Sequence, residues 1–568
     1  MPATPLADLA QLLSRVEQTS KRLELASLLA DFLKRLEPEE VPAAVRLITG
    51  QVFAEWDERA LNVSWQTVSE VVNGLVAATP ADQEAIYAQA VDGGQAIQLL
   101  LERARRLPPD PPRLTLQEVY QTFEQIAAVS GSGSRARKEG LLRGLLQRAD
   151  PVEAKVIVKN AFGEMRHGAG EGIMLEGIAQ AAGIPPAVVM RANQLWGDLG
   201  EVAHVALTEG EAALRAASIK PFRPLKPMLA ATAEEMSEAF ARHEGQLALE
   251  YKLDGARVQI HKEGSQVRIY SRQLQDVTTS LPDVAAMVRQ GGQAESAVLD
   301  GEAVAVDAAG RPLPFQDLMR RFRRVRDIAA TVAEVPLQLY VFDLLYLDGR
   351  SLIDEPYTAR WQALERAAGA GSHDRPAGLG LVHRSLPATV EEGLAFAEEA
   401  HQAGHEGVMA KQLDSHYTPG VRGKGWLKLK HVFSLDLVIV AAEWGYGRRH
   451  GWLSNYHLAA RDPTSGEFEV IGKTFKGLTD AEFEAMTQRL LALEVSRRRG
   501  VVFVQPKVVV EVLAGEVQKS PRYRSGLALR FARIIRIRDD KPAREADTLE
   551  TVRGLYEEQF RYKGRRAE

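Results

Sequence analysis

The sequence predicts three successive domains: an all-α region over residues 1–215, a mixed α/β domain over 216–433 and a small β-barrel over 434–568. Three observations carry this. At 568 residues the chain is too long for one hydrophobic core, because chains beyond about 250–300 residues divide into separately packed units. The apolar spacing switches from three- and four-residue repeats to short β-rich runs after the segment Ile219-Lys-Pro-Phe-Arg-Pro-Leu-Lys-Pro227. A third texture, of closely spaced strands, begins near Ser434.

In the first domain, Leu23 to Leu36 and Pro151 to Phe162 repeat apolar residues at helical spacing. The run Leu107-Pro-Pro-Asp-Pro-Pro-Arg113 interrupts it. Consecutive prolines lack amide donors and disfavour a preceding helix, so this run is expected to join two helical halves. The second domain offers strands at Leu247–Tyr251, Val258–His261, Val267–Ser271, Ala297–Val306 and Leu337–Leu345. The third offers Leu435–Ala442, Tyr456–Arg461, Phe468–Ile471, Val501–Val504, Lys507–Leu513 and Leu529–Ile537, with one helix over Asp480–Leu493. Five or six short strands and one helix fit a barrel of the oligonucleotide-binding type, the OB-fold.

Composition narrows the function. No apolar run approaches the roughly 20 residues that span a bilayer, and Met1 to Ala10 lacks a basic region followed by an apolar core. A cytoplasmic, monomeric protein with no membrane partner is the expectation. Cysteine is absent, which removes disulfides, thiolate nucleophiles and sulfur-held zinc. The net charge of −4 confines any contact with phosphate to local patches. Residues 1–100 carry a net −7 and residues 101–170 a net +4. Within the latter, Gly131-Ser-Gly-Ser-Arg-Ala-Arg-Lys138 sets small residues before basic ones at a helix start, which suits phosphate or a solvated loop. Arg320, Arg321, Arg323, Arg324 and Arg326 face DNA or line an exposed helix flank, and Lys519 to Lys541 holds eight Lys or Arg against two Asp.

The central observation is Glu250-Tyr-Lys-Leu-Asp-Gly-Ala-Arg257, a strand, a lysine and a turn-forming Asp-Gly pair. Alone it reads more readily as an ordinary hairpin flanked by solvated charges. It is followed in order by Ser271-Arg272, Leu299-Asp-Gly-Glu302, Val341-Phe-Asp-Leu-Leu-Tyr-Leu347, Glu406-Gly-Val-Met-Ala-Lys411, Trp426-Leu-Lys-Leu-Lys430 and Arg533-Ile-Ile-Arg-Ile-Arg-Asp-Asp-Lys541. This order resembles the covalent nucleotidyltransferases. With Ala161-Phe-Gly-Glu-Met-Arg166 and the segment from Gly170-Glu-Gly-Ile173, the whole chain is similar to archaeal and eukaryotic-type ATP-dependent DNA ligases.

The resemblance implies a helical DNA-binding domain, an ATP-grasp-like adenylation domain and an OB-fold domain encircling nicked duplex DNA. ATP is then a substrate, Mg²⁺ a cofactor, and replication, repair or recombination the setting, with a sliding clamp or repair factors as candidate partners near the nucleoid. Lys252 becomes the nucleophile that carries AMP. An ordinary lysine holds its proton to about pH 10.4, so nearby cations and desolvation must tune it. Lys428 and Lys430 alternate with leucines along one strand and share a face, which suits them to that task. The resemblance assigns Glu250 to the adenine amino group, Phe342 to stacking on the purine, and Arg257 and Arg272 to sugar and phosphates. It makes Glu406 a metal ligand, Glu302 a ribose or metal contact, and Arg538 and Lys541 the residues that orient pyrophosphate. An RNA ligase or capping guanylyltransferase shares the lysine motif but not the long helical region. An NAD-dependent ligase resembles a chain with a four-cysteine zinc site. A non-catalytic nick-binding scaffold is expected to have lost Lys252 or the carboxylates.

Overall fold

Helices fill the first domain because the sequence supplies their ends as well as their faces. The helix Pro151–Phe162 starts on Asp150, whose side chain caps Glu153 N–H while Glu153 returns the bond, and stops at Gly163 in the left-handed conformation. The computed structural model describes residues 3–104, 113–322, 327–368, 379–498 and 500–564, so most of the Pro-rich run and three of the five clustered arginines (Arg323, Arg324 and Arg326) lie outside the described residues. Helices run from Leu6–Val16 to Glu211–Arg215. Arg22–Leu33 packs closely on Glu171–Ala182, where a Cβ on Gly177 would stand 2.9 Å from that of Leu29. In the Gly131–Lys138 segment, Lys138 is buried with its ammonium on the Leu61 carbonyl at 2.7 Å, and Arg135 pairs with Glu70 at 2.6 Å. Lys138 therefore serves the fold and not a phosphate.

The central domain is two sheets. Its strands are β1 (Leu229–Thr232), β2 (Leu247–Tyr251), β3 (Ala256–Glu263), β4 (Gln266–Ser271), β5 (Ser296–Ala305), β6 (Leu337–Leu347), β7 (Arg350–Ser351), β8 (Leu379–Leu381), β9 (Arg384–Ser385), β10 (Gly407–Gln412) and β11 (Arg422–Lys430). One sheet has the order β1-β11-β10-β2-β9 and the other β4-β3-β5-β6-β7, with β8 on β6. The segment Lys252–Gly255 is thus a crossover between sheets and not a hairpin, because β2 pairs with β10 and β3 with β5. Arg321, expected on a surface, is 1% exposed, donates to the Val335 carbonyl at 2.9 Å and pairs with Asp283.

The C-terminal domain comprises β12 (Phe433–Trp444), β13 (Leu453–Arg461), β14 (Phe468–Thr474), β15 (Glu494–Arg498), β16 (Val501–Ala514), β17 (Glu516–Lys519), β18 (Leu527–Arg530) and β19 (Arg533–Ile537), with helices over Asp480–Ala492 and Leu549–Glu558. The order is β14-β13-β12-β16-β15, β19 also pairs with β16, and β17 pairs with β18. Two expectations change. Val501–Val504 and Lys507–Leu513 are one strand, since a bulge opposite Ile439–Ala441 accommodates Pro506 without a ladder donor. Leu529–Ile537 is two strands, broken where Phe531 adopts φ +59°. The core of this domain is built on Leu437, Ile439, Leu458, Phe483, Val508 and Ile534. Among the described residues no helix is long and apolar enough to cross a membrane.

Candidate active site

A cleft of about 680 Å³ opens where the two central sheets meet the C-terminal domain. The crossover delivers Lys252 to it. The Lys252 amide donates to the Gly407 carbonyl at 2.8 Å and the Glu406 amide to the Lys252 carbonyl at 2.9 Å, which locks the lysine and the carboxylate side by side. Glycine is required at two places here. A Cβ on Gly255 would lie 2.4 Å from the Ala303 carbonyl, and one on Gly407, at φ +136°, would lie 2.2 Å from that of Leu429.

The Lys252 ammonium meets Glu406 Oε2 at 2.5 Å, and Lys430 reaches the same oxygen at 2.8 Å. Burial alone would raise the Glu406 carboxyl, but these two ammonium groups hold it down at about 2. Burial pushes Glu302 up to about 8 despite Lys252 and Arg257, with Glu406 and Asp300 adding to the rise. Two neighbouring carboxyls therefore differ in charge state at neutral pH. Burial, then Lys430, Arg422, Lys252 and Arg272, pushes Lys428 below the ordinary lysine range. Lys428 and Lys430 both line the cleft, as their alternation along β11 requires.

At the cleft's floor Glu250 is 2% exposed and bound on both oxygens, by Lys411 at 2.7 Å and by the Tyr357 hydroxyl at 2.5 Å. The Lys411 ammonium lies 4.3 Å from the Trp426 ring centre and 4.7 Å from that of Phe342. Phe342 lines the cleft with its ring edge-on to Trp426. Arg272 sits exposed at the rim. Arg257 differs from expectation: its Nε and Nη2 grip Asp300 at 2.9 and 2.6 Å, Nη1 donates to the Met228 carbonyl, and Nη2 also reaches the Tyr417 hydroxyl. A guanidinium has five donors, so little of this one is left for a ligand. Its hold on Asp300 in β5 ties β3 to the wall that bears Glu302.

Arg538 and Lys541 stand apart from the cleft lining, both paired with Asp436, at 3.0 and 2.6 Å. The surrounding basic run is largely compensated as well, Arg533 by Glu234 and Arg536 by Glu511. From the C-terminal domain it is Arg530 and Phe531 that line the cleft. A carboxylate-flanked lysine beneath a ring of cations, above a floor that pairs an acceptor with a donor, is suited to a nucleoside triphosphate.

Residues 227–430 match the family described as ATP dependent DNA ligase domain, 5–179 the DNA ligase N terminus, and 449–541 the ATP dependent DNA ligase C terminal region. The chain is 47% identical over 561 residues to DNA ligase 1 of Korarchaeum cryptofilum, covering 98% of this chain and 99% of that protein. The chain belongs to the ATP-dependent DNA ligases. The ligase is also 44% identical to a probable DNA ligase of Anaeromyxobacter dehalogenans, over 97% of this chain and 99% of the other. The solved structure named Pmar-Lig_PreS3 shares its fold over 93% of this chain and 99% of the other, with a TM-score of 0.55 at 16% identity. The ligase accordingly has an N-terminal helical domain, a central adenylation domain and a C-terminal sheet domain. Sequence reasoning missed Tyr357, Asp300, Arg530 and Lys563 around the cleft, and only Asp300, within Leu299-Asp-Gly-Glu302, carried a motif signal.

Proposed function

We infer that the ligase seals nicks in duplex DNA, using ATP, through AMP held covalently on Lys252. Membership of the family and the seat of Lys252 against Glu406 inside a cation-lined cleft carry this reading. The Lys252 ammonium gives up a proton to solvent, the free amine attacks the α-phosphate, an N–P bond forms with loss of a second proton, the bond to the β-phosphate breaks and pyrophosphate leaves with its electron pair. AMP then passes to the 5′-phosphate at the nick, and the 3′-hydroxyl displaces it. Lys428, Lys430 and Arg272 face the charge that develops on phosphate oxygens. Glu250 accepts from the adenine amino group, and Phe342 offers its ring to the purine. Arg538 and Lys541 orient pyrophosphate, which requires the C-terminal domain to rotate about the short link between β11 and β12, in the stretch His431 to Leu435.

Glu302 and Glu406 fit Mg²⁺, which takes one or two carboxylates and completes its shell with water and phosphate oxygens. Bound there, the ion would neutralise triphosphate charge and favour the carboxylate form of Glu302. Residues 1–215 grip DNA through phosphates, residues 216–433 form an ATP-grasp-like adenylation domain, and residues 434–568 form an OB-fold. Incubation with labelled ATP, GTP or NAD tests the reading. A covalent AMP adduct from ATP alone, lost in Lys252→Ala, is expected. No adduct in the unaltered protein would leave a nick-binding scaffold instead.

A further inference from the structure

We propose that Arg530 contacts the phosphates of ATP directly and that Phe531 closes the cleft over Lys430 during lysine adenylation. This deepens the ligation reading and rests on it. The C-terminal domain brings two side chains to the cleft that holds Lys252, and they are Arg530 and Phe531. Arg530 is poised between carboxylates, 2.7 Å from Glu516 and 3.6 Å from Asp254, two residues from the nucleophile.

Neither carboxylate depends on Arg530 alone. Lys563, from the end of the chain, bridges the same pair, at 2.8 Å to Asp254 and 2.9 Å to Glu516. Arg530 can turn to a phosphate without leaving a buried carboxylate uncompensated, a freedom that a sole partner would lack. Its guanidinium presents a fork of donors matched to phosphate oxygens. Stacking against Phe315 and Phe531, at 5.2 and 4.9 Å, keeps it at the cleft while it turns.

Phe531 bears the mark of a position kept for its side chain. It is 52% exposed, so packing does not require it, yet its backbone sits at φ +59°, a region that costs a non-glycine residue energy. The strained turn breaks the strand between β18 and β19 and sets the ring 3.8 Å from the Lys430 ammonium. Lys430 also holds Glu406, so the ring covers one edge of the lysine–carboxylate cluster. In this arrangement Arg538 and Lys541 stand on Asp436, so Arg530 is the C-terminal cation already at the cleft before rotation brings those two to the pyrophosphate.

Single-turnover self-adenylation of the full chain with ATP, compared with sealing of a nick that already carries a 5′-adenylate, tests this. Arg530→Gln should slow adenylation about a hundredfold, as loss of one donor to a developing oxyanion does, and slow pyrophosphate-driven discharge of the Lys252 adduct equally. Arg530→Lys should recover part of the rate, and sealing of the adenylated nick should be unchanged in both. Phe531→Gly relieves the backbone strain, so it should raise the melting midpoint while slowing adenylation, a combination no purely structural role produces. Arg524→Gln, exposed on the same stretch, should alter neither reaction. Unchanged adenylation in Arg530→Gln, or equal losses in both reactions, overturns the proposal. Failure of the unaltered chain to form an adduct would instead overturn the ligation reading.

Discussion

Replacing Lys411 by Met should leave Glu250 as a buried carboxyl stripped of its counter-ion. The two groups are 1% and 2% exposed and 2.7 Å apart, so water reaches neither. Breaking a buried pair from one side costs about 3–5 kcal/mol. Tyr357 still donates to the other oxygen, and burial already raises the Glu250 carboxyl above its ordinary value, so it can escape the penalty by taking up a proton. The folded-state pKa is then raised above the unfolded one. The penalty is small below roughly pH 4.3 and grows by up to about 1.36 kcal/mol per unit as pH rises towards the folded value. Hydrogen exchange of the β2 and β10 amides, corrected for intrinsic pH dependence, reads this locally. Protection in Lys411→Met should fall roughly a hundredfold or more at neutral pH, by the 3 kcal/mol lower bound, and much less at pH 5. The double change Lys411→Met with Glu250→Gln should restore most of it. A loss independent of pH would refute the account, since packing and not charge would then explain it.

A double change of Arg538 and Lys541 to Ala should slow self-adenylation and spare sealing of an adenylated nick; equal losses would give these residues a role in DNA grip or stability. Removing residues 1–215 should leave lysine adenylation intact and flatten the dependence of log affinity for nicked DNA on log salt, which an unaltered slope would contradict. His261 is fully buried, and burial pushes it down to about 3, so it folds neutral. The unfolded chain alone binds its proton below about pH 6.5, so this contribution to stability is complete above that value and is lost as pH falls towards 3. Melting of the central domain should therefore drop on acidification, and His261→Gln should flatten that dependence.

Much of the site was legible because its chemistry lies in short contiguous motifs. Lys252 and Glu406 are 154 residues apart, yet Glu406 adjoins Gly407 and Lys252 precedes Gly255 by three residues, and the missing Cβ of each glycine allows the close approach that the fold demands. Strand centres were legible from alternation, as for β11, where Lys428 and Lys430 share a face with the cleft. What escaped depends on partners far along the chain. The grip of Asp300 and Tyr417 on Arg257, which also lines the cleft, leaves no trace in its motif, and Arg321 looked exposed because the carbonyl of Val335 and the carboxylate of Asp283 leave no local trace. The split at Phe531 was hidden for a related reason, since nothing in a run of apolar and basic residues signals a positive φ at phenylalanine. The basic stretch 519–541 gave no hint of the carboxylates from elsewhere in the fold that pair with Arg530, Arg533, Arg536 and Arg538.

The bond from Lys563 to Asp254 spans 309 residues. A ribosome adding about 5–20 residues per second completes its N-terminal domains first. The central domain can thus fold around Lys252 while Asp254 waits, on that scale, about a quarter of a minute to a minute for the cation that closes its cluster. Until then the C-terminal side reaches the cleft only through contacts made earlier in the chain, Arg530 with Asp254 and Phe531 with Lys430. The Lys563 bridge therefore closes the cluster only after the central domain that bears Lys252 and Asp254 has been made.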